Sequence, residues 1–289
     1  MFDLIKTIEV DRKNSLPVAD LHSRYKNTGT PVVFGDLTHR WPASRKWSID
    51  YFDSIIGNVN VPLYSDIQSL SNGKPDKPIQ NWKLKLFLDQ LLYEKNDLRV
   101  SKLPMKEVAG LERDFLYPRL GLNFNKNLTS LSITGEGVTV PMIQASNIVH
   151  TVHCNFGGRA SVLLIPPEFS GFMYRVGGSQ NTVREIDFDK PQFDKYPALK
   201  NLSGYVADLN HGDALYIPSG FWYCVAYQDL GITLSFESLI GSFTEYAGTM
   251  RKNLIGRIAD SLPGRNSRLT RLENRTIAET NARLLKAQS

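Results

Sequence analysis

From Leu128 to Ser242 the sequence breaks into short apolar runs separated by Gly, Asn and Pro, and this spacing constrains the fold more than anything else in the 289-residue chain. Runs that short are too brief for packed helices, but they suit strands that enter and leave a shared core through tight turns. The candidates are Ser130–Thr134, Pro141–Gln144, Thr151–Phe156, Ala160–Ile165, Gly204–Asp208, Ala214–Ile217, Trp222–Ala226 and Ile232–Glu237. Eight short strands at such spacing predict an all-β sandwich or a closed barrel.

The flanks read differently. Residues 1–127 mix short elements: a strand over Pro31–Phe34, a helix opened by Ser48 as its cap, and an amphipathic helix from Trp82 to Tyr93. This stretch is expected to be an α+β part packed on the barrel, which itself occupies 128–242. Residues 243–289 carry two helical patterns, Thr244–Ser261 and Arg268–Lys286, divided by Leu262-Pro263-Gly264. On the second, Leu269, Leu272, Thr276, Thr280 and Leu284 form one stripe. A stripe of that kind packs on the barrel or on a second subunit, and the sequence leaves both open.

Charge sharpens the division. Nine basic residues against three acidic ones lie beyond Met250, so the tail carries +6 of a whole-chain net charge of +5 and the body is close to neutral at −1. A near-neutral body with a basic helical tail weighs against nucleic-acid binding and reads as a solvated helix face. Cys154 and Cys224 form no CxxC pair, which excludes a zinc ribbon or a disulfide scaffold and suits a reducing, cytoplasmic setting. No apolar stretch approaches a membrane span, and the first six residues turn charged before a signal-type core could form. A soluble protein with no membrane partner is expected.

The segment His211-Gly212-Asp213-Ala214-Leu215-Tyr216-Ile217-Pro218-Ser219-Gly220-Phe221-Trp222-Tyr223-Cys224-Val225 has the form turn, buried strand, Pro/Gly turn, strand. It resembles the "GDxLFIPxGWWHxV" segment of the JmjC/cupin-like 2-oxoglutarate oxygenases, the group that includes the factor-inhibiting asparaginyl hydroxylase. Other segments are similar to that family in the same order. Pro31-Val32-Val33-Phe34, Trp41-Pro42-Ala43 and Trp47-Ser48-Ile49-Asp50-Tyr51-Phe52 match its N-terminal part. Gly158–Pro167 matches its "GxKRxxLFPP" strand, and Ser179–Asp187 with Pro191 to Pro197 matches its following loop. The resemblance spans about 17–240. It implies a mainly β fold, a double-stranded β-helix or jelly-roll barrel of eight core strands with flanking helices, and a dimer through the C-terminal helices.

By that resemblance, Fe(II) would be held by an HxD/E pair and a distal His, leaving open positions for 2-oxoglutarate and dioxygen. The distal His falls on Tyr223, anchored by Trp222 and Val225. The HxD pair falls on Ala145 and Asn147 when counted from Pro166-Pro167, or on Gln144 and Ser146 when counted from Gly135. The lysine that pairs with 2-oxoglutarate falls on Ala160. The expectation is therefore no metal and no cofactor, with iron and 2-oxoglutarate implied by family likeness alone. His150 and His153 lie three apart on one strand, so alternation sends them to opposite faces.

Alternation on the last strand puts Thr233, Ser235 and Glu237 on one face. If that face points inward, the pocket contains Tyr223 and Glu237 as candidate catalytic groups, with Gln144, Ser146, Asn155, Trp222, Thr233 and Ser235 binding ligand. If it points outward, Glu237 is merely solvated. Two function classes follow: a barrel binding a small-molecule or peptide ligand without iron, or an active enzyme using metal-independent acid–base chemistry or an unusual Fe(II) ligand set. The two cysteines read as buried, inert thiols.

Overall fold

The computed structural model describes residues 2, 6–65, 78–174, 186–240, 275 and 277–286. The proposed helix over 244–261 and most of the 179–187 loop lie outside the described residues.

All eight expected core strands are present: β7 (Ser130–Thr134), β8 (Thr139–Gln144), β9 (Val149–Asn155), β10 (Ala160–Ile165), β11 (Ser203–Leu209), β12 (Ala214–Ile217), β13 (Trp222–Tyr227) and β14 (Gly231–Leu239). Ahead of them come β1 (Lys6–Glu9), β2 (Arg12–Lys13), β3 (Val32–Phe34), β4 (Asn60–Tyr64), β5 (Gln80–Lys83) and β6 (Arg99–Pro104). The helices of the N-terminal part include α1 (Ala43–Lys46), α2 (Ile49–Ile56) and α3 (Leu84–Tyr93). The Ser48 hydroxyl accepts the Tyr51 amide at 3.2 Å and caps α2 as expected. The expected helix at Trp82 starts two residues later, because Trp82 and Lys83 pair with β4 instead.

The strands form two sheets. One runs β1-β11-β10-β13-β8 and the other β2-β3-β12-β9-β14-β7-β6-β4-β5. Four core strands lie in each, which is the jelly-roll arrangement, and the residues before 128 extend the larger sheet at both edges rather than only packing on it. β9 and β10 are buried along their whole length; β10 is a near-continuous apolar run, whereas β9 buries His150, Thr151, His153 and Asn155 as well.

Three apolar clusters account for the layers. The space between the sheets is filled by Val162, Leu164, Leu215, Ile217, Phe221, Tyr223 and Val225. The outer face of the larger sheet, with Val152, Cys154, Tyr216, Leu234 and Phe236, packs on Trp41, Trp47, Phe52 and Phe87 of the N-terminal part. The outer face of the smaller sheet, with Leu163, Trp222 and Cys224, is covered by Met173, Tyr196 and Leu199. Leu284 joins this last cluster, and Tyr174 donates to Asn281 Oδ1 at 2.6 Å, so residues 277–286 lie on the barrel of their own chain.

Gly212 occupies the turn before β12 at φ +89°, a left-handed conformation that favours glycine. Its amide donates to the Asn155 carbonyl at 2.8 Å and ties that turn to the end of β9.

Candidate functional site

Cα partners across an antiparallel pair project to the same side. His153 is opposite both Leu215 and Ser235, Thr151 opposite Ile217 and Glu237, and Asn155 opposite Thr233. Leu215 and Ile217 belong to the intersheet cluster. The polar residues paired with them therefore face the barrel interior, and Thr233, Ser235 and Glu237 are on the inner face. Across the interior, Tyr223 is opposite Ile143 and shares its cluster with Ala145, Phe221 and Val225.

The proposed site residues separate along the barrel. Glu237 and Tyr223 lie at the end formed by the 145–148 and 218–221 turns, and Ser235 sits one step in from Glu237. Thr233 and Asn155 lie at the other end. Thr233 is bonded to Tyr227 Oη at 3.0 Å, and Asn155 Nδ2 donates to the carbonyls of Gly158 and Asn210 at 2.7 and 3.1 Å. Asn155 thus clamps two turns, although its Oδ1 is buried without a hydrogen-bond partner. Its assignment as a ligand contact is corrected on that ground.

Gln144 and Trp222 are corrected too. They are opposite each other in the β8–β13 register and project away from the interior, toward the segment after β10. Gln144 Nε2 donates to the Gly220 carbonyl at 2.9 Å, and Trp222 Nε1 donates to Ser170 Oγ at 2.8 Å. Ser146 belongs to the β8–β9 turn, where its carbonyl accepts the amides of Val149 and Gly220. In the same register Ala145 faces inward beside Tyr223 and Gln144 does not.

Two residues complete the polar cluster: the buried His153 and the half-exposed Lys102 at its edge. Lys102, on the irregular part of β6 at φ +48°, places Nζ 3.6 Å from Glu237 Oε1. His153 Nδ1 is 3.2 Å from Ser235 Oγ. Burial, reinforced by the Lys102 charge, lowers His153 to about 4, so the ring is neutral near neutrality. Lys102 was not legible as a site residue, because nothing in its local sequence signals the break in β6. The sequence placed His150 and His153 on opposite faces without saying which is inside; the inward position of His153 and its partner Ser235 both required the strand register.

His150 faces the other way, opposite Ser238. Its Nδ1 accepts the Ser219 amide at 3.2 Å and lies 3.0 Å from Tyr216 Oη. A backbone amide can only donate, so Nδ1 carries no proton and the neutral ring is protonated at Nε2. Burial, with the charges of Lys26 and His22, lowers this ring to about 4 as well. The two histidines do not converge, and among the described residues no three His, Cys, Asp or Glu side chains group as a metal site.

The Cupin-like domain profile matches residues 18–237. The chain is 26% identical over 234 residues to JmjC domain-containing protein D of Dictyostelium discoideum, covering 71% of this chain and 51% of that protein. It is 25% identical over 254 residues to lysine-specific demethylase 8 of Danio rerio, covering 80% and 58% respectively. Over 232 residues it is 32% identical to tRNA wybutosine-synthesizing protein 5 of Gallus gallus, covering 71% and 69%. The chain spans about half the length of the first two relatives. No helix among the described residues is long and apolar enough to cross a membrane.

Proposed function

Because the chain belongs to the cupin-like domain family, we propose that it uses a barrel resembling those of the JmjC 2-oxoglutarate oxygenases to bind a small polar ligand without the usual Fe(II) and 2-oxoglutarate. The observation that carries this reading is the environment of Tyr223. At the position matching the distal iron ligand, a phenol stands among Ile143, Ala145, Phe221 and Val225. Such a set offers none of the imidazole nitrogens and carboxylate oxygens that a facial triad needs, so these residues do not fit the iron. Ala160, at the position of the 2-oxoglutarate lysine, is buried in the same apolar cluster.

The polar groups of the interior lie on the opposite sheet, and they give the ligand site its chemistry. Lys102 supplies a cation, Glu237 an acceptor, and the Ser235–His153 pair a hydroxyl beside a neutral imidazole. A second reading, metal-independent acid–base chemistry at these groups, is favoured by the 3.6 Å approach of Lys102 to Glu237. That approach orients the carboxylate at the barrel mouth. A homodimer through the 243–289 segment remains part of the proposal: Leu285 stays exposed on the terminal helix. Light scattering would report a mass near twice 32.6 kDa for such a dimer.

Anaerobic titration with Fe(II) and 2-oxoglutarate tests the main reading. No visible charge-transfer band and no thermal shift are expected. A band saturating near one iron per chain would overturn it.

A further inference from the structure

Outside the barrel interior, a cavity of about 290 Å³ opens at the rim, between the end of the helical stretch Leu21–Lys26, the 218–221 turn and the segment after β10. Its size is at the lower end of the range for small-molecule sites. Lys26 and Glu168 both line it, and neither forms an ion pair with the other or with another described residue. His150 lines the same cavity, and with Nδ1 occupied by the Ser219 amide its remaining ring nitrogen is a donor. The rest of the wall mixes polar groups such as Thr28 and Ser219 with the apolar Pro167 and Phe221.

Each feature removes a class of ligand. A simple anion would satisfy Lys26 and His150 but meet the like charge of Glu168. A simple cation would do the reverse, and a neutral polyol would leave both charges unmatched. A zwitterion with a hydrocarbon side chain satisfies all of them. We propose that this rim cavity binds a free α-amino acid with an apolar side chain, its carboxylate meeting Lys26 and the Nε2–H of His150 and its ammonium meeting Glu168. The site is separate from the inner polar cluster.

Calorimetry on the full chain with L-phenylalanine and L-leucine tests this, alongside 3-phenylpropionate, which lacks the amine, and 2-phenylethylamine, which lacks the carboxylate. At least one amino acid is expected to bind one per chain, about tenfold or more tighter than either single-charge analogue. Lys26→Met should weaken the amino acid and 3-phenylpropionate about tenfold while leaving 2-phenylethylamine unchanged, and Glu168→Gln should do the opposite. Both side chains reach solvent, so unchanged melting temperatures would verify that the variants fold. The proposal is overturned if neither amino acid binds, if 3-phenylpropionate binds as tightly as L-phenylalanine, or if neither variant alters binding.

Discussion

The Ser235 hydroxyl lies 3.2 Å from Nδ1 of His153, so a hydrogen bond crosses the β9–β14 pair inside the barrel. A charged ring there would lose water on every side and gain only Lys102, which carries the same sign. The pair therefore works as a neutral unit, which has consequences for stability.

His153 and His150 titrate at about 4 in the folded chain, against 6.5 for an ordinary histidine. As pH falls below 6.5 the unfolded chain takes up these protons first, so folding stability is full above that value and declines toward pH 4. Each ring can account for up to roughly 3 kcal/mol of the loss. Urea unfolding should show a lower midpoint near pH 5 than near pH 7.5, and His153→Gln should flatten the difference. A wild-type midpoint that stays constant across this window would contradict the neutral rings.

The register that puts Ala145 beside Tyr223 also predicts how to rebuild a metal site. Ala145→His, Asn147→Asp and Tyr223→His together should give a chain that binds Co(II), read as visible d–d absorption, while the native chain shows none. If the folded triple variant stays colourless, the assignment of these three positions is wrong.

Cys154 and Cys224 are buried on the outer faces of the two sheets, and burial pushes both thiols well above the usual range. Native protein in mildly alkaline buffer should not react with a chromogenic disulfide reagent, whereas the denatured chain should release the signal of both cysteines. Rapid labelling of the native protein would show that one of these sheet faces opens readily.

Much of the architecture could be read from the chain because a strand's period of two is a local property. Short runs such as Ala214–Ile217, bounded by Gly212 and Pro218, admit few other structures. Which face of Thr233, Ser235 and Glu237 points inward depends on Leu215 and Ile217 across β9, and no local pattern contains that relationship. Gln144 was misplaced for the same reason: a shift of one residue against Trp222 exchanges the faces of β8. Lys102 enters the site through a break in β6, where the register against β7 shifts between Val100 and Leu103.

The N-terminal part is fastened by one carboxylate. Asp114, almost fully buried, accepts from Lys46 Nζ at 2.9 Å, Trp47 Nε1 at 3.2 Å and Tyr51 Oη at 2.6 Å, joining α1 and α2 to the chain ahead of β7. Burial alone would raise this carboxyl, but the bonds from Tyr51, Lys46 and Trp47 outweigh it and hold it below its ordinary value. Its contribution is therefore present above the ordinary carboxylate range and fades in strong acid as the group protonates. Asp114→Ala would leave the Trp47 and Tyr51 donors without their acceptor and should cost about 2–4 kcal/mol in urea unfolding near neutral pH. Asp114→Asn keeps one acceptor oxygen but loses the charge facing Lys46, so it should cost less than the alanine variant. Trp47 packs against Phe52 and Phe156 with ring centroids 5.5 and 4.8 Å apart, so its fluorescence should report any loosening. Equal stability of wild type and Asp114→Ala would mean that apolar packing alone holds α1 and α2 in place.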